Sequence, residues 1–191
     1  MGDFKLSEFQ KKKLRHVFDI FYDINKDGVI EWKDFKIAIE KICDLHGWPQ
    51  GREKHTTATE TMQEIWKALL KYADKNKDKK VSTEEWYLMW TESIKASKNT
   101  GALPDWVNRY REFMFYVNDT SGDDIIDMNE YKTVYKSYGI TDADCESAFN
   151  KFSENQAVKI TKDEFAELFM EYFVSDDPNA KGNALFGKTN F

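Results

Sequence analysis

Between Asp23 and Asp34, oxygen-bearing side chains fall at Asp23, Asn25, Asp27, Glu31 and Asp34, which are positions 1, 3, 5, 9 and 12 of a twelve-residue stretch. Alternate residues of a tightly turning loop can aim the first three at one centre, and a hard divalent cation such as Ca²⁺ takes about six to eight oxygens. Gly28, at position 6, permits the sharp bend through positive φ that a side chain opposes. Val29, at position 7, would add its backbone carbonyl, while Ile30, at position 8, points into a core and is placed to pair with its counterpart in a second such loop. A merely solvated acidic turn would require neither Gly28 nor Ile30, so the chemistry indicated is coordination of calcium.

The spacing recurs. From Asp74 to Glu85 the same positions carry Asp74, Asn76, Asp78, Ser82 and Glu85, with the carbonyl of Lys80 at position 7. Lys79 stands where glycine is expected; holding a lysine at positive φ costs about 1 kcal/mol, little beside the attraction of two Asp and a bidentate Glu for a divalent ion. From Asp119 to Glu130 the set is Asp119, Ser121, Asp123, Asp127 and Glu130, with the carbonyl of Ile125 at position 7 and Ile126 facing the core. Asp124 replaces the glycine there, and aspartate visits left-handed backbone more readily than most residues. A fourth stretch, Ser153 to Glu164, keeps Ile160 at position 8 but offers only Asn155 and Glu164 as useful side chains. That is too little charge for a cation, so this loop is expected to serve as a structural partner of the third. Asp34 is one methylene shorter than Glu85 and Glu130 and reaches an ion less easily with both oxygens. The first site is therefore expected to accept six-coordinate Mg²⁺ as well.

Loops of this kind need a helix on each side, and the apolar residues supply them. Phe9, Leu14, Val17, Phe18 and Phe21 recur at helical spacing behind a capping Ser7, and Phe35, Ile39 and Ile42 continue to the breakers Gly47 and Pro49. A polar connector over 50–57 precedes Met62, Ile65, Trp66, Leu69 and Leu70, and Trp86, Met89, Trp90 and Ile94 follow the second loop. After Asn99 to Pro104, which reads as a linker, similar stripes flank the third and fourth loops. The expected fold is all-α: four helix-loop-helix units in two packed pairs, with two-residue β contacts between paired loops. The expected divisions are an N-terminal pair at 1–98, a C-terminal pair at 99–174 and a tail at 175–191 packed on the body.

Composition narrows the function. A net charge of -6 with acidic residues in short clusters argues against a nucleic-acid partner. No apolar run approaches a membrane span and no signal-peptide core opens the chain, so the cytoplasm is expected. Gly2 is expected to be unmodified, because Leu6 stands where a myristoylation signal wants Ser or Thr. Cys43 and Cys145 lack ligand spacing and suggest reduced thiols. His16, His46 and His55 are scattered and no nucleophile motif appears, so no enzyme is expected.

Three loops with ligand sets and a silent fourth, over nearly the whole chain, resemble the EF-hand proteins of the sarcoplasmic calcium-binding type. Length, the degenerate fourth loop and the tail from Gly182 to Gly187 are similar to the neuronal members of that group. The resemblance implies a monomer in calcium signalling of nerve cells, with a protein target such as an ion channel and a membrane-associated form on calcium binding. One motif points elsewhere. Gly182 to Thr189 matches the phosphate-binding pattern G-x-x-x-x-G-K-[ST], which would make Gly182, Gly187, Lys188 and Thr189 nucleotide contacts. Only Asn190 and Phe191 follow, too few for the helix whose N-terminus would hold the phosphates. A GTP-binding switch is thus the runner-up, and the blander expectation is that Leu185, Phe186 and Phe191 anchor the tail. Fourteen Phe, nine Tyr and six Trp against six Met favour a packed interior over an adaptable groove. Trp66, Trp86, Trp90 and Trp106 are expected in the core, and calcium is expected to cause a partial rearrangement, with a passive buffer as the alternative.

Overall fold

The computed structural model describes residues 4–191, so the state of Gly2 lies outside it. Eight α-helices appear among these residues: α1 Glu8–Val17, α2 Trp32–His46, α3 Glu53–Ala73, α4 Thr83–Thr100, α5 Asp105–Asn118, α6 Met128–Ser137, α7 Asp142–Phe152 and α8 Lys162–Val174. Four strands of two residues each lie inside the loops: β1 Val29–Ile30, β2 Val81–Ser82, β3 Ile125–Ile126 and β4 Ile160–Thr161. The all-α fold of four helix-loop-helix units is the observed one. β1 and β2 pair antiparallel with Ile30 opposite Val81, and β3 and β4 pair with Ile126 opposite Ile160. These four side chains are β-branched and buried, which makes an extended backbone the cheap choice at position 8.

The chain gathers into two units, one ending at Tyr110 and the other running from Arg111 to Phe191. The division falls inside α5 and not in the stretch 99–104. α4 continues through Thr100, and the start of α5 contributes to the first unit: Trp106 lies 6.0 Å from Trp90 and Tyr110 lies 5.0 Å from Tyr22, ring to ring. α3 likewise begins at Glu53, inside the stretch expected to be a connector.

In the first unit Trp86 is the centre of the core. Its ring meets Phe18, Tyr22 and Trp90, and its indole N–H donates to the Leu14 carbonyl at 3.1 Å in a fully buried bond. Ser7 caps α1 with Gln10 completing a reciprocal box. Phe9 departs from the expected stripe: it is half-buried, and the Lys13 ammonium lies over its ring. At its C-terminal end the entering helix widens into a π turn over Phe18–Tyr22, closed by the Asp23 amide donating to the Phe18 carbonyl at 2.7 Å. Val17, Phe18, Phe21 and Tyr22 are all buried where the helix widens.

The second unit is built on stacked Tyr131 and Tyr135, their ring centres 4.0 Å apart, with Phe149, Phe152, Phe165, Phe169 and Phe173. The tail enters this core instead of resting on it. After a 3₁₀ turn at Lys181–Ala184, Leu185 and Phe186 are fully buried; Phe186 meets Phe169, Tyr172 and Phe173, and the Tyr131 hydroxyl donates to the Leu185 carbonyl at 2.9 Å. Phe191 remains half-buried at the edge, against Tyr172. Cys43 and Cys145 are buried free thiols. No helix among the described residues is long and apolar enough to cross a membrane.

Replacing Trp86 by Phe removes the indole donor and part of the ring volume. Urea denaturation should show a loss of about 2 kcal/mol, from the missing bond and the space left behind; an unchanged midpoint would show that Trp86 is not the keystone of this core.

Candidate metal centres

Each of the first three loops is folded by its own acidic side chains accepting its own amides. In the first, Asp23 accepts from the amides of Asp27 and Gly28, each at 3.0 Å, Asn25 from Asp27 at 2.9 Å, and Asp27 from Val29 at 3.2 Å. The second repeats this bond for bond: Asp74 accepts from Asp78 and Lys79, Asn76 from Asp78, and Asp78 from Lys80. In the third, Asp119 takes the amides of Gly122, Asp123 and Asp124, and Asp123 that of Ile125. The alternation read from the sequence therefore turns the side chains at positions 1, 3 and 5 inward while leaving oxygen lone pairs unused.

The carboxylate at position 12 has a different task, which is to join the two ends of the loop. Asp34 accepts from the amides of Asn25 at 3.0 Å and Glu31 at 2.9 Å; Glu85 from Lys75 at 3.2 Å and Ser82 at 3.0 Å; Glu130 from Ser121 at 2.8 Å and Asp127 at 2.9 Å. Both oxygens of each group are thereby oriented. Ser82 and Asp127 also cap the exiting helices through the amides of Glu85 and Glu130. Glu31 differs, because its carboxylate lies 3.5 Å from the Lys80 ammonium, a link from the second loop to the first.

Backbone strain falls where the sequence places it and at one further position. Gly28, Lys79 and Asp124, all at position 6, have φ of 90°, 63° and 64°. Position 4 is also left-handed, with Lys26 at 60°, Lys77 at 63° and Gly122 at 76°, a requirement that the sequence signals only through Gly122.

The electrostatics separate the first loop from the others. Burial raises the pKa of Asp34 beyond what the Asn25 and Glu31 amides offset, and the charges of Asp23 and Asp27 raise it further. Burial works against Glu85 and Glu130 too, but amide and hydroxyl donors outweigh it and hold both below the ordinary carboxylate range. Burial thus opposes the charged form of Asp34, which has only amides to balance it, an environment that a bound cation would relieve.

Among the described residues no three His, Cys, Asp or Glu side chains gather closely enough to form a metal cluster by themselves. The donor sets depend equally on the amide and hydroxyl oxygens of Asn25, Asn76, Ser82 and Ser121 and on the carbonyls of Val29, Lys80 and Ile125. An all-oxygen set of this mixture fits a hard divalent ion. The fourth loop is wound differently: Glu154, Asn155 and Gln156 are consecutively left-handed, and the buried Ser153 accepts the Gln156 amide at 3.0 Å. The nucleotide candidates in the tail do not assemble a phosphate cradle. Gly182 lies in the 3₁₀ turn with its amide donating to Glu171 at 2.6 Å, Lys188 lies over the ring of Phe191, and Gly187 packs on Ile140. Thr189 turns its carbonyl towards Lys151.

Residues 11–91 match the family model for an EF-hand domain pair. Over 183 residues the chain is 32% identical to sarcoplasmic calcium-binding proteins I, III and IV of Branchiostoma lanceolatum, covering 96% of this chain and 98% of the relative. It is also 32% identical to calexcitin-1 of Caenorhabditis elegans, over 96% of this chain and 88% of that one. The solved structure of an amphioxus sarcoplasmic calcium-binding protein superposes with a TM-score of 0.79 at 30% identity, over 96% of this chain and 98% of that chain.

Gly28 tests the loop geometry cleanly, because a Cβ added there would meet nothing within 4 Å and any effect comes from the backbone. Gly28→Ala should cost about 1 kcal/mol of metal-free stability in urea and weaken calcium binding at the first loop. Unaltered stability would mean that φ at this position is free to relax.

Proposed function

The chain belongs to the sarcoplasmic calcium-binding protein family of EF-hand proteins, and from this we propose that it binds three calcium ions, one in each of the loops 23–34, 74–85 and 119–130. The observation that carries the proposal is the thrice-repeated carboxylate at position 12, its two oxygens held by amides from both ends of its loop. Pre-orientation of that group lowers the ordering cost of closing around an ion. Asp23, Asn25, Asp27 and Asp34 would hold the first ion with the Val29 carbonyl, and Glu31 would act from position 9. Asp74, Asn76, Asp78, Ser82 and Glu85 with the Lys80 carbonyl would hold the second, and Asp119, Ser121, Asp123, Asp127 and Glu130 with the Ile125 carbonyl the third. Bound calcium supplies positive charge to carboxylates that otherwise repel one another.

The three sites are not equal. The third loop has five carboxylates, at Asp119, Asp123, Asp124, Asp127 and Glu130, and no lysine or arginine, whereas the second carries Lys75, Lys77, Lys79 and Lys80 on its exposed rim. The third is therefore the tighter site, by a margin that salt reduces. The shorter Asp34 makes the first the site that also accepts magnesium. Aromatic cores around Trp86 and Tyr131 favour a partial rearrangement on filling over a wide opening. The biological reading is calcium signalling in nerve cells, in the cytoplasm, as a monomer with an ion channel as the kind of target and a membrane-associated form on calcium binding. The alternative is a passive calcium and magnesium buffer. The tail geometry does not favour a GTP switch: the Gly182 amide donates to Glu171 and Lys188 lies over the ring of Phe191.

Calorimetric calcium titration should give three sites, and Glu85→Gln and Glu130→Gln should each remove the site of its own loop. Retained stoichiometry in either variant would refute the loop assignment. Asp34→Glu should shift the first site towards calcium over magnesium, and unchanged selectivity would refute the role given to its length. Tryptophan fluorescence followed in parallel, with magnesium present, separates a signalling protein from a buffer by whether calcium still alters the signal.

A further inference from the structure

In three loops the position 12 carboxylate is satisfied by amides of its own loop. In the fourth, Glu164 meets a charged side chain from the tail: the Lys181 ammonium donates to Glu164 at 2.9 Å and reaches Glu154, at position 2, at 3.4 Å. We infer that Lys181 is the resident cation of the fourth loop, an intramolecular substitute for the divalent ion that keeps this loop closed and its strand available to the third site whether or not calcium is present. The second half of the inference rests on the proposed calcium site in loop 119–130.

Lys181 is positioned by its neighbours. Gly182 follows it, with an amide held by the Glu171 carboxylate at 2.6 Å and a backbone so close to α8 that a Cβ would lie 2.6 Å from the Leu168 carbonyl. Only glycine allows this approach. Leu185 and Phe186 then fix the segment from the other side by entering the core, and the Asn183 side chain ties back to the Asp177 carbonyl at 2.8 Å. The ammonium is therefore delivered to the loop by a rigid support. Its pKa is raised by the Glu164 bond, so it stays charged through the neutral range.

The loop it serves has lost the features that would attract an ion and acquired internal bonds instead. Asn155 donates to the Asn150 carbonyl at 2.7 Å and Val158 to the Ser153 carbonyl at 3.0 Å, so the turn is satisfied without a metal. What such a turn leaves over is the negative charge of Glu154 and Glu164, and the one ammonium reaches both carboxylates. β4 lies within this loop and pairs with β3 through Ile126 and Ile160, so a fourth loop held closed gives the third loop a preformed partner. Calcium binding at the third site then need not order its neighbour.

Hydrogen exchange in the calcium-free protein tests the first half directly. In Lys181→Ala the amides of Asn155 and Val158 should exchange about threefold faster, the effect expected of a partly exposed charge pair, while the first-loop amides of Asp27 and Gly28 stay unchanged. Lys181→Arg should keep the protection, and the double variant with Glu164→Gln should be no faster than either single one. Unchanged exchange in Lys181→Ala, equal loss in Lys181→Arg, or additive effects in the double variant would each overturn the inference. With calcium, Lys181→Ala should weaken the third site about threefold without changing the number of sites; full affinity there would overturn the coupling. Because the exchange experiment contains no calcium, failure of the three-site proposal is read separately, from the Glu130→Gln titration.

Discussion

The structure depends on one constraint: a twelve-residue loop must bring its two ends together while several carboxylates face inward. The residue at position 12 resolves this by accepting amides from both ends, and the helices on either side are aligned by the same closure. Where burial is deepest, at Asp34, the charge is least comfortable, and that discomfort is what makes the position useful to a cation. A loop organised in this way has most of its ordering cost already met by the fold.

Closure of one loop is not enough, because a two-residue strand has no stability alone. Ile30 against Val81 and Ile126 against Ile160 make each pair of loops a single object, with the flanking helices burying the position 8 side chains beneath. The helices in turn are held by aromatic contacts such as those around Trp86 and Tyr131. Rings of this size have few rotamers and strict contact geometry, so a change at a loop is resisted by the core below it. That mechanical link is the physical basis for expecting a partial response.

The tail completes the second unit in two ways. Leu185 and Phe186 fill its interior, and Lys181 sits at the loop that carries too few charges for an ion. A degenerate hand is thus kept in shape by covalently attached groups in place of a free cation, and its partner hand gains a fixed strand to lean on.

Much of this was legible in the chain because it is local. Oxygen side chains at alternate positions, a glycine or aspartate at the bend and an apolar position 8 are sufficient to name the loops, and period-3.6 stripes are sufficient to name the helices around them. The sequence by itself therefore determined the all-α architecture and where its four loops fall, since each follows from spacing within about a dozen residues. Only the tertiary structure decided the rest. The π turn at Phe18–Tyr22 has no signature in the apolar spacing, and Trp106 and Tyr110 join the first unit because rings on α4 and in the π turn receive them. The phosphate-binding pattern at 182–189 becomes a core plug with a lysine at its head because glycine permits close approach to α8. Each of these outcomes depends on which distant surface the segment meets, and that information is absent from local spacing.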